Sequence, residues 1–341
     1  MGSAIGDVAA RAGVSKATAS RALSGNGYVA ETTRQRVLQA AKEIGFVASP
    51  NAASLVTGQT KNIGVVTPFI GRWFFGMILE GIEETLLNRG YDMTLYNLHS
   101  GSIDRDRVFD FYLARRRFDG MILIGVDPTA DETARLLGLE IPIISIGAPV
   151  AGIRSLAIDD VTVARLATEH LLGLGHRSVL HVGGGGADDE GATVHGRRLA
   201  GYRQAMAAAG LVESVRTAVA AMSVPGGYDA GTHALSDSGA RPSAIFAACD
   251  EIAIGVLIAA RRIGIRVPTA LSVIGIDGHE YAEMLSLTTI EQKPRAQGQA
   301  AVADLFSAID GQPGAADVVE MPARLIIRAS TAHAIVRSDA V

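Results

Sequence analysis

The sequence predicts an α/β protein: an N-terminal all-α head followed by a two-lobed core of doubly wound parallel sheets. Three observations predict it. Up to residue 48, apolar positions recur at helical spacing and glycines punctuate them. From Asn62 onward, short continuous apolar runs of β type alternate with helical stretches. That strand–helix series then occurs a second time. At 341 residues, with 48% hydrophobic and 19% charged residues, the chain is too long for one hydrophobic core and apolar enough to fill several.

The head reads as three short helices. "IGDVAARA" (5–12) puts Ile5, Val8, Ala9 and Ala12 on one face, and Gly13 breaks it. Ser15 is placed to cap a second helix, Lys16–Leu23, which "SGNG" ends. A third, "TTRQRVLQAAKEIGF", is expected to bury Val37, Leu38, Ala41 and Ile44 before Gly45 stops it. Pro50 begins a link, "SPNAASLVTGQTKN".

The core follows as strands at "NIGVVTP" (62–68), "DMTLYN" (92–97), "FDGMILIG" (118–125), "IPIISIG" (141–147) and "RSLAID" (154–159). The second series is "RSVLHVGG" (177–184), "VRTAVAA" (215–221), "SAIFAACD" (243–250) and "LSVIGID" (271–277). Helices lie between, among them "HGRRLAGYRQAMAAAG" and "EIAIGVLIAARRIG". Continuous apolar strands separated by helices mean parallel sheets covered on both faces. Ligands of such sheets bind outside the carboxyl ends of the strands, so the cleft between the lobes is the expected pocket. The predicted division is a head at 1–48, a hinge at 49–62 and a core at 63–341. Within the core, one lobe takes about 63–158 and 291–318, the other about 159–290 and 319–337.

Composition narrows the function. One cysteine, Cys249, excludes an internal disulfide and fits a reducing compartment. The start, "MGSAIGDVAARAG", lacks the apolar stretch of a secretory signal, and no window has the run of apolar residues that a membrane span needs. The expectation is a cytoplasmic protein with no membrane partner. Net charge is −4, but it is unevenly spread: residues 1–62 carry seven Lys or Arg and three acids, leaving −8 for the rest. A small basic head on an acidic body points to a polyanion partner for the head alone.

Two short helices joined by a tight glycine turn, the second polar and basic, form a helix-turn-helix pattern, whose second helix enters the DNA major groove. On "SKATASRAL" the residues Lys16, Ala17, Ser20 and Arg21 share a face. Arg21 offers a bidentate fork to guanine, and Ala17 is small enough to let the backbone close on a base or to meet a thymine methyl. Ser15, Thr18 and Ser20 are candidate phosphate donors. The competing reading of the same residues is a solvated surface helix.

The run "IGDVAARAGVSKATASRALSGNGYVAETTRQRVLQAAKEIGF" resembles the DNA-binding headpiece of the lactose-repressor (LacI/GalR) family of bacterial transcription regulators. "NIGVVTP", "RFDGMILIG", "RLATEHLLGLGHRSVLHVGG", "RRLAGYRQAM", "RPSAIFAACDEIAIGVLIAARRIGIRVPTALSVIGIDG", "LTTIEQ" and "ARLIIRAST" resemble that family's periplasmic-binding-protein-like core, in its order. The resemblance implies base reading by Lys16, Ala17 and Arg21. It implies phosphate contacts from Ser15, Thr18, Ser20 and Asn26, and hinge contacts from Asn51 and Leu55. In the cleft, Arg198 and Asp277 match the family's effector-contacting arginine and aspartate, and Phe74 an aromatic that stacks on the ligand ring. Their bland alternatives are a salt bridge across the lobe, a strand-end cap and core packing. The implied partners are operator DNA, a small-molecule effector (a sugar, a polyol or a phosphorylated derivative) and a second copy of the chain as a homodimer. No cofactor is implied.

Two segments depart from the family pattern. "SPNAASLVTG" is two residues short, with Leu55 only five after Pro50; at about 100° per residue that deletion turns the leucine by roughly 200°. Either the hinge begins later or the operator is bent less. In the pocket, "FIGRW" puts Phe69, Arg72 and Trp73 where a polar pair and a proline are usual, with Met222 and Cys249 at two other pocket positions. Losing amide and carboxylate partners while gaining an arginine suggests that Arg72 selects an effector with a phosphate or carboxylate, though a cleft-rim arginine is the alternative.

Catalysis finds little support. The glycine-rich "HVGGGGADDEG" follows a strand but has no Lys-Ser/Thr, and Asp188, Asp189 and Glu190 repel phosphate. His170, His176 and His181 lack a helical pair for a metal, and there is no Gly-x-Ser-x-Gly elbow. An exported solute-binding protein shares the two-lobed plan, but here a headpiece stands where its signal would be.

Overall fold

The first three helices are α1 (Ile5–Ala12), α2 (Lys16–Ser24) and α3 (Glu31–Glu43). They close on a small core of Val8, Ala9, Ala12, Ala19, Ala22, Val37, Ala40 and Ala41. Small residues dominate it, which lets three short helices approach closely. Gly13 sits at φ +64°, so the turn between α1 and α2 takes a left-handed step that a side chain would strain. The expected core position Leu38 is a correction: it is 42% exposed, and Ala40 takes the inward place beside Val37 and Ala41. The spacing 37, 40, 41, 44 keeps one helical stripe; 38 lies off it.

The computed structural model describes residues 5–24, 27–46, 59–98, 103–109, 113, 117–185, 193–312, 314 and 316–335. Asn26, Asn51, Leu55, residues 47–58 at the end of the head and in the link, and residues 186–192 of the glycine-rich loop lie outside the described residues. The chain divides into two units, Met1–Asn62 with Arg117–Asp119, and the remainder, each taken by itself.

The second unit holds two sheets. The first contains β1 (Asn62–Thr67), β2 (Asp92–Asn97), β3 (Gly120–Ile124), β4 (Ile143–Ile146), β5 (Arg154–Ala157) and β11 (Val318–Glu320), in the order β11-β5-β4-β3-β1-β2. The second contains β6 (Val179–Gly183), β7 (Arg216–Val219), β8 (Ala244–Ala247), β9 (Ser272–Asp277), β10 (Thr288–Glu291) and β12 (Arg324–Ile326), in the order β12-β10-β9-β8-β6-β7. Pairing in the second is parallel except for β12 on β10. The chain therefore passes between sheets three times: after β5, after β10 and after β11.

Helices cover both faces. In the first lobe α4 (Trp73–Asn88) packs against α11 (Pro294–Ile309), and its described residues also include the helices α5 (Ile103–Arg107) and α6 (Ala130–Leu137). In the second, α7 (Asp160–Gly173) pairs with α8 (Val194–Ala208), and α9 (Val224–Ser236) with α10 (Asp250–Ile263). Leu180, Val182, Ile245, Ala247 and Val273 bury against α9 and α10, while Val179, Ala244, Phe246, Ile274 and Ile276 bury against α7 and α8. Successive strand residues point to opposite sides, so burying both sides requires an unbroken apolar run. The edge strand β7 shows the contrast, alternating half-buried and exposed residues.

Close helix pairing depends on glycine. A Cβ on Gly255 of α10 would lie 2.2 Å from the Val224 carbonyl oxygen of α9, so only hydrogen fits there. Among the described residues no helix is long and apolar enough to cross a membrane, and no group of three or more His, Cys, Asp or Glu is placed to hold a metal ion.

Candidate functional site

Helix α2 starts where Ser15 caps it. The Ser15 Oγ accepts from the Thr18 backbone N–H at 3.1 Å and lies 2.9 Å from the Thr18 hydroxyl. That bond satisfies one of the open N–H groups of the first turn. Ala19 and Ala22 point into the head's core, which leaves Lys16, Ala17, Ser20 and Arg21 exposed together on the opposite face. The Lys16 stem lies over Gly6 and the Arg21 stem over Gly27, so both long chains are steadied by backbone with no Cβ beneath them. Tyr28, which the sequence reading left unassigned, is 92% exposed just beyond α2. Four exposed small, hydroxylated or cationic groups on one helical face suit a groove lined by acceptors and phosphates.

A cavity of about 140 Å³ lies between the two lobes. Its walls come from the residues that follow the carboxyl ends of the strands: Pro68 and Phe69 after β1, Gly147 after β4, Asp160 after β5, Met222 after β7, Glu251 after β8 and Asp277 at the end of β9. Parallel sheets bring all these ends to one side, and two lobes facing each other make the pocket. Arg72, Phe74, Arg198 and Asp277 all line it, as do Cys249, Gln292 from the crossing before α11 and Gln297 from the first turn of α11.

Arg198 is nearly out of solvent and tied to its own lobe through Nε and Nη1. Its Nε donates to Asp160 Oδ1 at 2.9 Å, its Nη1 donates to the Ala248 carbonyl, and its Nη1 is 3.9 Å from Asp277 Oδ1. The expected alternative, a salt bridge, is thus present, and it sits on the cavity wall. Asp277 accepts from Gln292 Nε2 at 2.6 Å, and Gln292 in turn accepts from Gln297 Nε2 at 2.7 Å on its carbonyl. Asp277 has φ of +135°, a region that side chains rarely tolerate, at the point where β9 meets the cavity.

The acids outnumber what Arg198 can neutralise. Burial raises the Asp277 carboxyl above the usual carboxylate range, against the pull of Arg198. Burial raises Asp250 as well, although it accepts from the His279 N–H at 2.8 Å and from the Thr289 hydroxyl at 2.7 Å. Glu251 is raised by burial and drawn back by the Arg72 charge and the Trp73 N–H. Arg72 itself lies 5.5 Å from the Phe69 ring centroid, with Glu251 close enough to feel its charge. Burial pushes the Cys249 thiol up, which leaves it neutral and unreactive. Phe69 and Phe74 both meet Phe75 edge-to-face, at 5.4 and 5.6 Å, forming one aromatic wall. A carboxylate and a guanidinium facing aromatic rings can grip a hydroxylated ring from its edge and its face.

Sequence reasoning missed Asp160, His195, Glu251, Gln292 and Gln297 as cavity residues. Asp160 and Glu251 stand at the first turn of helices that follow strands, the usual place for a ligand-facing group in such sheets, and that signal was readable. Nothing local marks the glutamines.

Residues 4–49 match the family described as bacterial regulatory proteins, lacI family, and residues 168–331 match a periplasmic binding protein-like domain. The chain is 32% identical over 340 residues to the HTH-type transcriptional regulator DegA of Bacillus subtilis (strain 168), covering 97% of this chain and 98% of that one. It is 31% identical to the HTH-type transcriptional repressor PurR of Proteus mirabilis (strain HI4320), over 96% of both. The fold is that of the Lac repressor dimer solved with operator and the anti-inducer ONPF, at a TM-score of 0.85 and 24% identity, over 97% of this chain and all of that one.

Proposed function

The chain belongs to the LacI family of bacterial regulatory proteins, and from that premise we propose that it represses transcription in the cytoplasm as a homodimer on a near-palindromic operator. The relatives named above are regulators, not enzymes. In this reading each head reads one half-site, and a two-fold axis makes the pair read two. Lys16, Ala17 and Arg21 meet base edges, and Ser15, Thr18 and Ser20 hold phosphates. Asn26, Asn51 and Leu55 remain part of the proposal as DNA contacts on the strength of the resemblance.

The effector in this reading is a sugar-like or polyol molecule, free or phosphorylated, held by Arg198 and Asp277 against Phe74. Arg72 is the group that favours a phosphorylated form, and Glu251 beside it sets how much of its charge is available. The observation that carries the reading is the cavity itself, with walls from both sheets and the Asp277 carboxyl and Arg198 guanidinium in its lining. A ligand that binds only the closed arrangement shifts the population of lobe placements and, through the link, the affinity for DNA.

A mobility-shift assay with promoter fragments from the chain's own genetic neighbourhood tests it, run with and without a panel of sugars, polyols and their phosphates. One fragment should be retarded, and one panel member should change that retardation. Failure to retard any fragment at low salt refutes the reading.

A further inference from the structure

Trp73, the sole tryptophan of the chain, begins α4 in the first lobe, between the cavity residues Arg72 and Phe74. His279 follows β9 in the second lobe, two residues past Asp277. Their rings stack with centroids 4.4 Å apart and planes 28° from parallel, so the two lobes touch face to face beside the cavity. The His279 ring is held on its own side. Its backbone N–H donates to Asp250 at 2.8 Å, its Nδ1 accepts from the Tyr281 N–H at 3.0 Å, and the Tyr281 ring lies 5.0 Å away. Trp73 presents the other ring from the N-terminal end of α4. Its indole Nε1 is buried with no hydrogen-bond partner. The indole is therefore used for its face rather than its N–H.

We propose that Trp73 and His279 form a clasp between the lobes, positioning the two walls of the cavity and setting the balance between open and closed forms. A stacked aromatic pair biases that balance by roughly two- to tenfold beyond the area it buries. An effector that fits only the closed form gains apparent affinity in the same proportion. Neither Trp73 nor His279 belongs to the cavity lining, so the clasp tunes closure without choosing the ligand. This inference builds on the cavity described above but needs neither DNA nor effector to be tested.

The test uses the full, unliganded chain, with tryptophan fluorescence to read the stack and hydrogen exchange to read the lobes. In His279→Ala the indole loses its cover: acrylamide quenching should rise about twofold, and the amides of residues 68–77 and 278–283 should exchange about threefold faster or more. His279→Phe keeps a ring against the indole but not the acceptor for the Tyr281 N–H, so its quenching and the exchange of residues 68–77 should match the parent. Trp73→Leu, read by exchange alone, should match His279→Ala. Unchanged quenching in His279→Ala overturns the clasp. Unchanged exchange also overturns it, since the rings would then touch without holding the lobes. Faster exchange throughout the core, or His279→Phe behaving as His279→Ala does, overturns it too, because the pair would then serve general stability.

Discussion

Replacing Arg198 with alanine removes a charge from a place where its partner cannot reach water. Arg198 and Asp160 are 5% and 2% exposed, and they are joined by a 2.9 Å hydrogen bond. Deleting one member of a buried ion pair costs about 3–5 kcal/mol, since the other charge stays buried without it. Here Asp160 keeps a second guanidinium, Arg197 at 3.4 Å, which places the expected loss near the lower end. The Ala248 carbonyl also loses its donor. A loss of about 3 kcal/mol lowers Tm by roughly 5 °C for a core of this size. Thermal melts and urea titrations followed by circular dichroism read it directly. Adding Asp160→Asn to Arg198→Ala removes the stranded charge, so the double variant should recover at least about half of the loss. A single variant within about 1 kcal/mol of the parent, or a double variant that falls by the sum of both singles, refutes the reasoning.

Arg72→Ala should abolish any preference for a sugar phosphate over the free sugar in calorimetric titration, a change of about tenfold or more; equal affinities before and after would assign Arg72 to the rim alone. Arg21→Ala should weaken operator binding by about 1–3 kcal/mol and relax selection at one base pair per half-site, as read by anisotropy on operators substituted base by base. His181 is fully buried and burial pushes it down to about 4 from an ordinary 6.5. Between those values the unfolded chain binds the extra proton, so stability falls as pH drops through that window, by up to about 3 kcal/mol. The gap between the urea midpoints at pH 7 and pH 5 should be smaller in His181→Gln than in the parent. Gly255→Ala drives a methyl into the Val224 carbonyl and the Tyr228 amide nitrogen, 2.2 and 2.4 Å from where it would sit; overpacking of that kind costs about 1–3 kcal/mol or more, visible as a lower urea midpoint.

Much of the fold was legible because it is written locally. A stripe at 5, 8, 9 and 12, a glycine at 13 and a hydroxyl at 15 specify two helices and the turn between them through backbone geometry alone. The exposed face of α2 follows from the same arithmetic, since Ala19 and Ala22 must point inward. Continuous apolar runs such as "SVIGID" announced buried parallel strands and hence a pocket at their carboxyl ends. Leu38 marks the limit even of local reading: an apolar residue off the stripe looks like core until its neighbours are in place. Arg198 and Asp277 were found through resemblance, not through any spacing.

The amino-acid order alone determined the element types, their succession and the basic face of α2, because each depends on periodicities of two to four residues that need no distant partner. Only the tertiary structure decided that Asp160 stands against Arg198, that Gln297 and Gln292 brace Asp277, and that Trp73 lies on His279. Those meetings depend on the strand order of two sheets and on where the chain crosses between them. Side chains far apart in sequence come together there only once the two sheets have formed and face each other.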